Sequence, residues 1–238
     1  MSKKPFEILK TILSSKEHIN IKFLGDSITH GVGGTGFEQN GEKIVEGFAR
    51  NLHGHCWANS FKKYMESHFG CTVTNNACTG TNIQFVLGNF GELVSESDDI
   101  VFCTIGTNNR HQGFDEGDKH TREEHGEIFY RHLLKLNERF KEKNIPVIFI
   151  ANIPASKNNE QDGDGYWRIL HMDDINTIYK HASEVCDFPL ISFYDLFSDY
   201  CAKENKSVDS LLADGLHPND QGYDVMYSLL INELQLND

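Results

Sequence analysis

The stretch DIVFCTI at residues 99–105 decides the fold, because five of its seven residues are apolar and they do not alternate with polar ones. A strand that is apolar on both faces is typical of a parallel sheet covered by helices on each side. A second such run, PVIFI, follows at residues 146–150. Between the two lies a helical pattern over 122–143, whose apolar face is formed by Phe129, Leu133, Leu136 and Phe140. This alternation predicts an α/β fold, a three-layer α/β/α sandwich.

The same alternation continues on both sides of this unit. It predicts further strands over 19–24, 71–74 and 188–193, and further helices over 56–69, 168–186 and 218–234. In the helix over 168–186, the spacing assigns Ile175, Ile178, Ala182 and Val185 to the core. Residues 1–18 are expected to form a short helical extension. The chain has no internal repeat or linker-like tract, so we expect one domain over residues 1–238.

The composition excludes several classes of protein. With 39% hydrophobic and 24% charged residues, the chain has a globular composition. Its 22 Lys and Arg against 35 Asp and Glu give a net charge of −13, which argues against a nucleic-acid-binding protein that grips phosphates. No apolar run approaches the ~18 residues of a membrane-spanning helix, so no integral membrane association is expected.

The N-terminal sequence MSKKPFEILKTILSSKEHIN lacks an uninterrupted apolar segment and a small-residue cleavage site. We therefore expect no signal peptide and a cytoplasmic location. The six cysteines show no C-x-x-C spacing, and in that compartment they are expected to be reduced thiols.

Chemistry is expected just beyond the carboxyl ends of the strands, where parallel sheets bind their ligands. The first strand leads into Gly25-Asp26-Ser27. A serine at a strand-to-helix turn has its hydroxyl close to backbone N–H groups, which suits a nucleophile beside an oxyanion site. The alternative is that Ser27 only caps the following helix. The nearby glycines 31, 33, 34 and 36 match neither G-x-G-x-x-G nor the P-loop, which disfavours a nucleotide site.

Two further segments offer hydrogen-bond donors. Gly80 follows the second strand and could present its N–H to a substrate oxygen, or could simply form a turn. Asn108, in Gly106-Thr107-Asn108-Asn109 after the third strand, has a neutral amide suited to a developing oxyanion. Its alternative is a loop-capping asparagine.

The strongest local signal is the segment DGLHPN at residues 214–219. Asp214 and His217 are close enough across a tight turn for the carboxylate to accept from one imidazole nitrogen, which leaves the other nitrogen as a base. The alternative is an ordinary helix-capping turn, with Pro218 starting the last helix.

In this order, the four segments resemble the SGNH subgroup of GDSL-type hydrolases over residues 20–235. The resemblance implies a flavodoxin-like central sheet and a serine esterase that needs no cofactor and no metal. It implies a catalytic triad of Ser27, Asp214 and His217. It also implies an oxyanion hole formed by Ser27, Gly80 and Asn108. The chain departs from the family at Asn109, where G-x-N-D has an aspartate, and in the long polar segment 32–55.

The expected substrate is a short-chain acyl ester, with acetyl favoured, on a carbohydrate or another polar alcohol. The basis is the polar composition of segment 32–55, which contains Thr35, Glu38, Gln39, Asn40, Arg50 and Asn51. The alternatives are a lipid or thioester acylhydrolase, a sugar O-acyltransferase that uses the same serine, and a non-catalytic carbohydrate-binding module. The oligomeric state stays open.

Several other side chains are candidate ligand sites. His53-Gly54-His55, the pair His111 and His120, and Asp162-Gly163-Asp164 could suggest metals, but solvated loops are favoured for all three. His30 is expected to be structural or to line the pocket. Tyr166 and Trp167 could stack on a sugar ring or pack in the interior.

Overall fold

The computed structural model describes residues 4–111, 120–160 and 168–236. The described part contains seven strands: β1 Asn20–Gly25, β2 Lys43–Val45, β3 Phe48–Ala49, β4 Thr72–Asn75, β5 Ile100–Thr104, β6 Val147–Ala151 and β7 Leu190–Ser192. Five of them form a parallel sheet in the order β4-β1-β5-β6-β7, which is the flavodoxin-like order. The predicted sandwich is thereby confirmed.

Ten α-helices lie in the described part: α1 Pro5–Leu13, α2 Ser27–His30, α3 Trp57–Phe69, α4 Ile83–Gly88, α5 Phe90–Leu93, α6 Arg122–Glu142, α7 Lys157–Glu160, α8 Met172–Cys186, α9 Phe193–Lys203 and α10 Asp220–Glu233. Two 3₁₀ turns are Thr107–Arg110 and Val208–Leu211. Helix α1 provides the predicted N-terminal helical segment.

Each face of the central sheet carries one apolar cluster. Along β5, Ile100 and Phe102 point into the cluster that contains α3 and α10 side chains, whereas Val101 and Cys103 point into the cluster formed with α6 and α8. All five β5 residues are buried, as expected for a strand that is apolar throughout. No helix among the described residues is long and apolar enough to cross a bilayer. All six cysteines are free.

Three element boundaries differ from the sequence prediction. Helix α8 begins at Met172 instead of residue 168, because the His171 N–H donates to Asp174 Oδ2 at 2.6 Å and caps the helix there. Helix α10 begins after Asn219, whose side chain accepts from Gly222 N at 3.0 Å, so Pro218 precedes the cap. The strand predicted over 188–193 ends at Ser192, which caps α9.

The assignment of Val185 to the core was wrong. The residue is 59% exposed, although Ile175 and Ala182 of the same helix are buried as predicted. Val185 lies in the last turn of α8, just before Asp187 takes the left-handed conformation that ends the helix. Helical spacing selects a face, but it does not tell whether the terminal turn of that face is covered.

Candidate active site

Ser27 is the first residue of α2, two residues beyond the end of β1. Asp26 is the cap of this helix, and its Oδ1 accepts from Ile28 N at 3.1 Å. The alternative role of Ser27 as a helix cap is therefore wrong. A Cβ on Gly25 would lie 2.8 Å from Thr104 O, so the close approach of β1 to β5 at this point requires glycine.

The structure brings Asp214, His217 and Ser27 into one hydrogen-bonded line. His217 Nε2 lies 2.8 Å from Ser27 Oγ, and His217 Nδ1 lies 2.7 Å from Asp214 Oδ2. The other carboxylate oxygen, Oδ1, accepts from the backbone N–H groups of Leu216 and His217 at 3.0 and 2.8 Å. The segment is thus both a hydrogen-bonded turn and a carboxylate–imidazole pair.

The charge of Asp214 determines the direction of both imidazole bonds. Partial burial on its own would raise the pKa of Asp214, but the backbone and imidazole hydrogen bonds from His217 outweigh it and hold the pKa below its ordinary value. An ionised carboxylate only accepts, so the His217 proton lies on Nδ1. In the neutral imidazole with its proton on Nδ1, Nε2 is the acceptor for the Ser27 hydroxyl.

Asp26, the residue before Ser27, is fully buried. Burial raises the pKa of this carboxyl above its ordinary value, and the hydrogen bonds from Thr107, Ile28 and Asn152 act in the opposite direction. Asn152 Nδ2 lies 3.1 Å from Asp26 Oδ2 and 2.8 Å from Thr107 Oγ1, so it links the turns after β1 and β5. The sequence analysis missed Asn152, although it follows β6 directly, where the strand-end rule points.

Gly80 and Asn108 lie on two turns that contact each other. Gly80 is exposed with φ +76°, and Asn108 Nδ2 donates to Thr81 O at 2.8 Å. Since an amide carries two N–H groups, Asn108 retains a second donor. The buried side chain of His30 also stabilises the turn of Gly80. It forms hydrogen bonds with Thr79 Oγ1 at 2.9 Å and with Ala49 O at 3.0 Å. His30 is therefore structural, which was one of its two expected roles.

Asn109 connects the same two turns. Its Oδ1 accepts from Ile83 N at 3.0 Å, and its Nδ2 donates to Gln84 Oε1 at 2.8 Å. An aspartate could make the first bond but could not donate the second. The departure from G-x-N-D is thus matched by Gln84 in this chain.

Segment 32–55 contains the antiparallel pair β2 and β3 and lies against α10. Asp220 accepts from both Thr35 N and Thr35 Oγ1 at 2.7 Å. Asn51 is only 2% exposed and donates to His30 O, while Arg50 Nε donates to Asn76 Oδ1. Thr35, Arg50 and Asn51 therefore hold the segment in place, and of the three only Asn51 is buried and so removed from the polar surface expected to meet a substrate.

Gly33 joins this segment to the His217 turn, and its substitution tests that contact. It has φ +96°, and a Cβ there would lie 2.5 Å from Pro218 O and 3.0 Å from His217 Cβ. We expect Gly33→Ala to lower the free energy of unfolding by about 1–3 kcal/mol more than Gly47→Ala. Gly47 is the matched control, since it has φ +81° and open space around its Cβ position. Thermal unfolding of both variants measures this difference. An equal loss of stability in Gly33→Ala and Gly47→Ala would contradict the close contact.

Among the residues that the structure describes, the candidate metal ligands do not converge. Within 4–111, 120–160 and 168–236, no three His, Cys, Asp or Glu side chains form a metal-binding group. His55 instead pairs with Asp224 Oδ1 at 2.9 Å. Asp162-Gly163-Asp164, Tyr166 and Trp167 lie outside the described residues.

Several solved structures resemble the chain in fold. A protein of Parabacteroides merdae described as a GDSL-like lipase superposes with a TM-score of 0.69 at 17% identity, covering 92% of this chain and 96% of the other. An alpha/beta hydrolase from the metagenome of Lake Arreo, Spain, gives 0.68 at 20% identity, with 92% and 97% covered. An acetylxylan esterase from Geobacillus stearothermophilus gives 0.65 at 17%, with 91% and 94% covered. No curated protein sequence matches the chain.

The family model of the GDSL-like lipase/acylhydrolase family matches residues 23–225, which include all four segments described above. This match spans far more than half of the chain and begins within β1. The chain therefore belongs to the GDSL-like lipase/acylhydrolase family and is a carboxylic ester hydrolase.

Proposed function

We propose that this protein hydrolyses short-chain acyl esters, with acetyl preferred, through a covalent intermediate on Ser27. The observation that carries the proposal is the continuous hydrogen-bonded line from Ser27 Oγ through His217 to Asp214 at the carboxyl end of the sheet. A hydroxyl is a weak nucleophile until a base takes its proton, and His217 Nε2 is in position to do so.

In the first half-reaction, Ser27 Oγ attacks the ester carbonyl while its proton passes to His217 Nε2. Asp214 stabilises the imidazolium that results. The tetrahedral oxyanion accepts from the backbone N–H groups of Ser27 and Gly80 and from the second amide hydrogen of Asn108. The imidazolium then protonates the leaving alcohol, and the acyl group stays on Ser27.

In the second half-reaction, water replaces the alcohol. His217 Nε2 takes a proton from water, the resulting hydroxide attacks the acyl carbon, and the same donors stabilise the second oxyanion. Collapse returns the proton to Ser27 Oγ and releases the carboxylic acid. Apart from the ester and water, only side chains and backbone of this chain take part in the proposed reaction.

A polar alcohol is the proposed leaving group, and a carbohydrate is the favoured class. Glu38 and Asn40 support this choice, because they are exposed polar residues of segment 32–55, and Gly33 of that segment packs against His217. A protein of similar fold is described as an acetylxylan esterase, which supports a carbohydrate as the alcohol. Mutants that replace a serine, an aspartate and a histidine of that enzyme are described as catalytic, which supports the proposed triad.

A panel of esters tests the acyl and alcohol preferences separately. The substrates are p-nitrophenyl acetate, butyrate and octanoate, together with acetylated xylose, and Ser27→Ala is the control enzyme. We expect serine-dependent activity that falls with chain length, and release of acetate from the sugar. Activity that rises toward octanoate would move the substrate to lipids or thioesters. Transfer of acetyl to an added sugar in preference to water would favour an acyltransferase.

A further inference from the structure

Arg110 is a fully buried cation that the proposed reaction does not use. Its side chain is 0% exposed, and it lies two residues after Asn108 in the same 3₁₀ turn, Thr107–Arg110. A charge removed from water in this way destabilises the fold unless it is paired and hydrogen-bonded. The partners of Arg110 therefore show what the residue holds together.

The guanidinium of Arg110 donates hydrogen bonds in two directions. On one side, Nε donates to Thr107 O at 2.9 Å, which closes the turn that carries Asn108. On the other side, Nη1 donates to Glu160 Oε2 at 3.2 Å, and both Nη atoms donate to Asn159 Oδ1 at 3.3 Å. Arg110 thus fastens the Asn108 turn to α7.

Ser156, the residue just before α7, connects this helix to the turn that carries His217. Ser156 N donates to Gly215 O at 2.8 Å, and Ser156 Oγ accepts from Asn159 N at 3.1 Å. Gly215 lies between Asp214 and His217 and has φ +85°, and a Cβ there would lie 2.7 Å from Ser156 Oγ. A short path of hydrogen bonds therefore runs from the Asn108 turn, through Arg110 and Asn159, to the Asp214–His217 turn.

We propose that Arg110 is a positioning residue that holds the Asn108 amide in place relative to the Ser27–His217 pair. The inference rests on the proposed role of Asn108 as an oxyanion donor. Stability alone is a poor explanation for the ion pair, because replacing a buried pair with neutral side chains is often neutral or stabilising. Position is a better one, since a displacement of about 1 Å at a reacting group can lower the rate about 10²-fold.

The test uses Arg110→Met together with Glu160→Gln, so that no buried charge is left without its partner. The glutamine side chain keeps an oxygen to accept from Met172 N, as Glu160 Oε1 does at 3.1 Å. We expect kcat for p-nitrophenyl acetate to fall about 10- to 100-fold, with KM changed little. Arg122→Met is the matched control, because Arg122 pairs with Asp174 on the surface, and it should keep wild-type kcat.

A double-mutant cycle separates positioning from a general loss of structure. Asn108→Ala alone is expected to lower kcat about 10²–10³-fold while the protein stays folded. If Arg110 acts through Asn108, adding Arg110→Met and Glu160→Gln to Asn108→Ala should lower kcat by less than about threefold more. Thermal unfolding of each variant confirms that folded enzyme is being compared.

Two results for the variant that combines Arg110→Met and Glu160→Gln, called here the paired variant, would overturn the inference. The first is a paired variant whose kcat stays within about twofold of wild type. The second is the full loss recurring in the Asn108→Ala background. Unchanged turnover in Asn108→Ala itself would remove the oxyanion role of Asn108 and this inference with it. If Asn108→Ala lowers kcat but the paired variant does not, the oxyanion role of Asn108 stands and only the inference about Arg110 is overturned.

Discussion

Ser27→Ala is expected to lower kcat by about 10⁴–10⁶-fold, the largest effect of any single substitution in this chain. The reason is that the covalent route ends when Oγ is removed, and only binding and the oxyanion donors remain. His217→Ala should lower kcat by a similar factor, because the hydroxyl then has no base. The change at Ser27 removes one oxygen atom from a residue that is 4% exposed, so the variant should unfold close to the wild-type temperature.

Hydrolysis of p-nitrophenyl acetate by purified variants measures both effects. Ser67→Ala is the matched control, since Ser67 is an exposed serine on α3. Because the two residues act as one unit, the combined variant should be little slower than either single one. Near-wild-type turnover in either single variant would refute the assigned roles.

Asp214→Asn is expected to lower kcat by about 10⁴-fold with little change in stability. Asparagine keeps an oxygen that can accept from the N–H groups of Leu216 and His217, so the turn should persist. However, its NH₂ group would then face His217 Nδ1, which must become the acceptor. The imidazole proton moves to Nε2, where it blocks acceptance from Ser27 Oγ.

The small change in stability is expected because Asp214 is a surface residue. The Asp214 side chain is 55% exposed, so a neutral amide is readily hydrated and leaves no buried orphan group. Measurement of kcat beside the thermal unfolding temperature checks the prediction. A folded Asp214→Asn enzyme with kcat within about tenfold of wild type would show that the carboxylate does not set the tautomer.

The layers of the fold were predictable from sequence because its central strands are apolar on both faces. β5 alternates between two cores, and a continuous apolar run is what such a strand requires. Shorter elements gave no such signal. Helix α9 follows β7 without a loop, so a prediction from the apolar run wrongly extends the strand to Phe193. Strands β2 and β3 are only three and two residues long, which is too short for a recognisable pattern.

The four segments proposed to form the site could be selected from the sequence, because each follows a strand or lies in a recognisable turn. It could not predict Arg110, since its partners Asn159 and Glu160 lie 49 and 50 residues away and no local pattern links them. One polar residue of segment 32–55, Asn51, was misjudged for a related reason. Asn51 looks like a surface residue in the sequence, but its side chain is needed to bind the backbone of His30.

The central claim is that Ser27 carries the acyl group during turnover, and acid-quenched mass spectrometry tests it most directly. The enzyme is mixed with p-nitrophenyl acetate, quenched before the steady state, and digested to peptides. We predict one acetyl group on the peptide that contains Ser27 in wild type, and none in Ser27→Ala. Continued turnover with Ser27 unmodified, or acetyl on a different residue that disappears as product forms, would contradict the account.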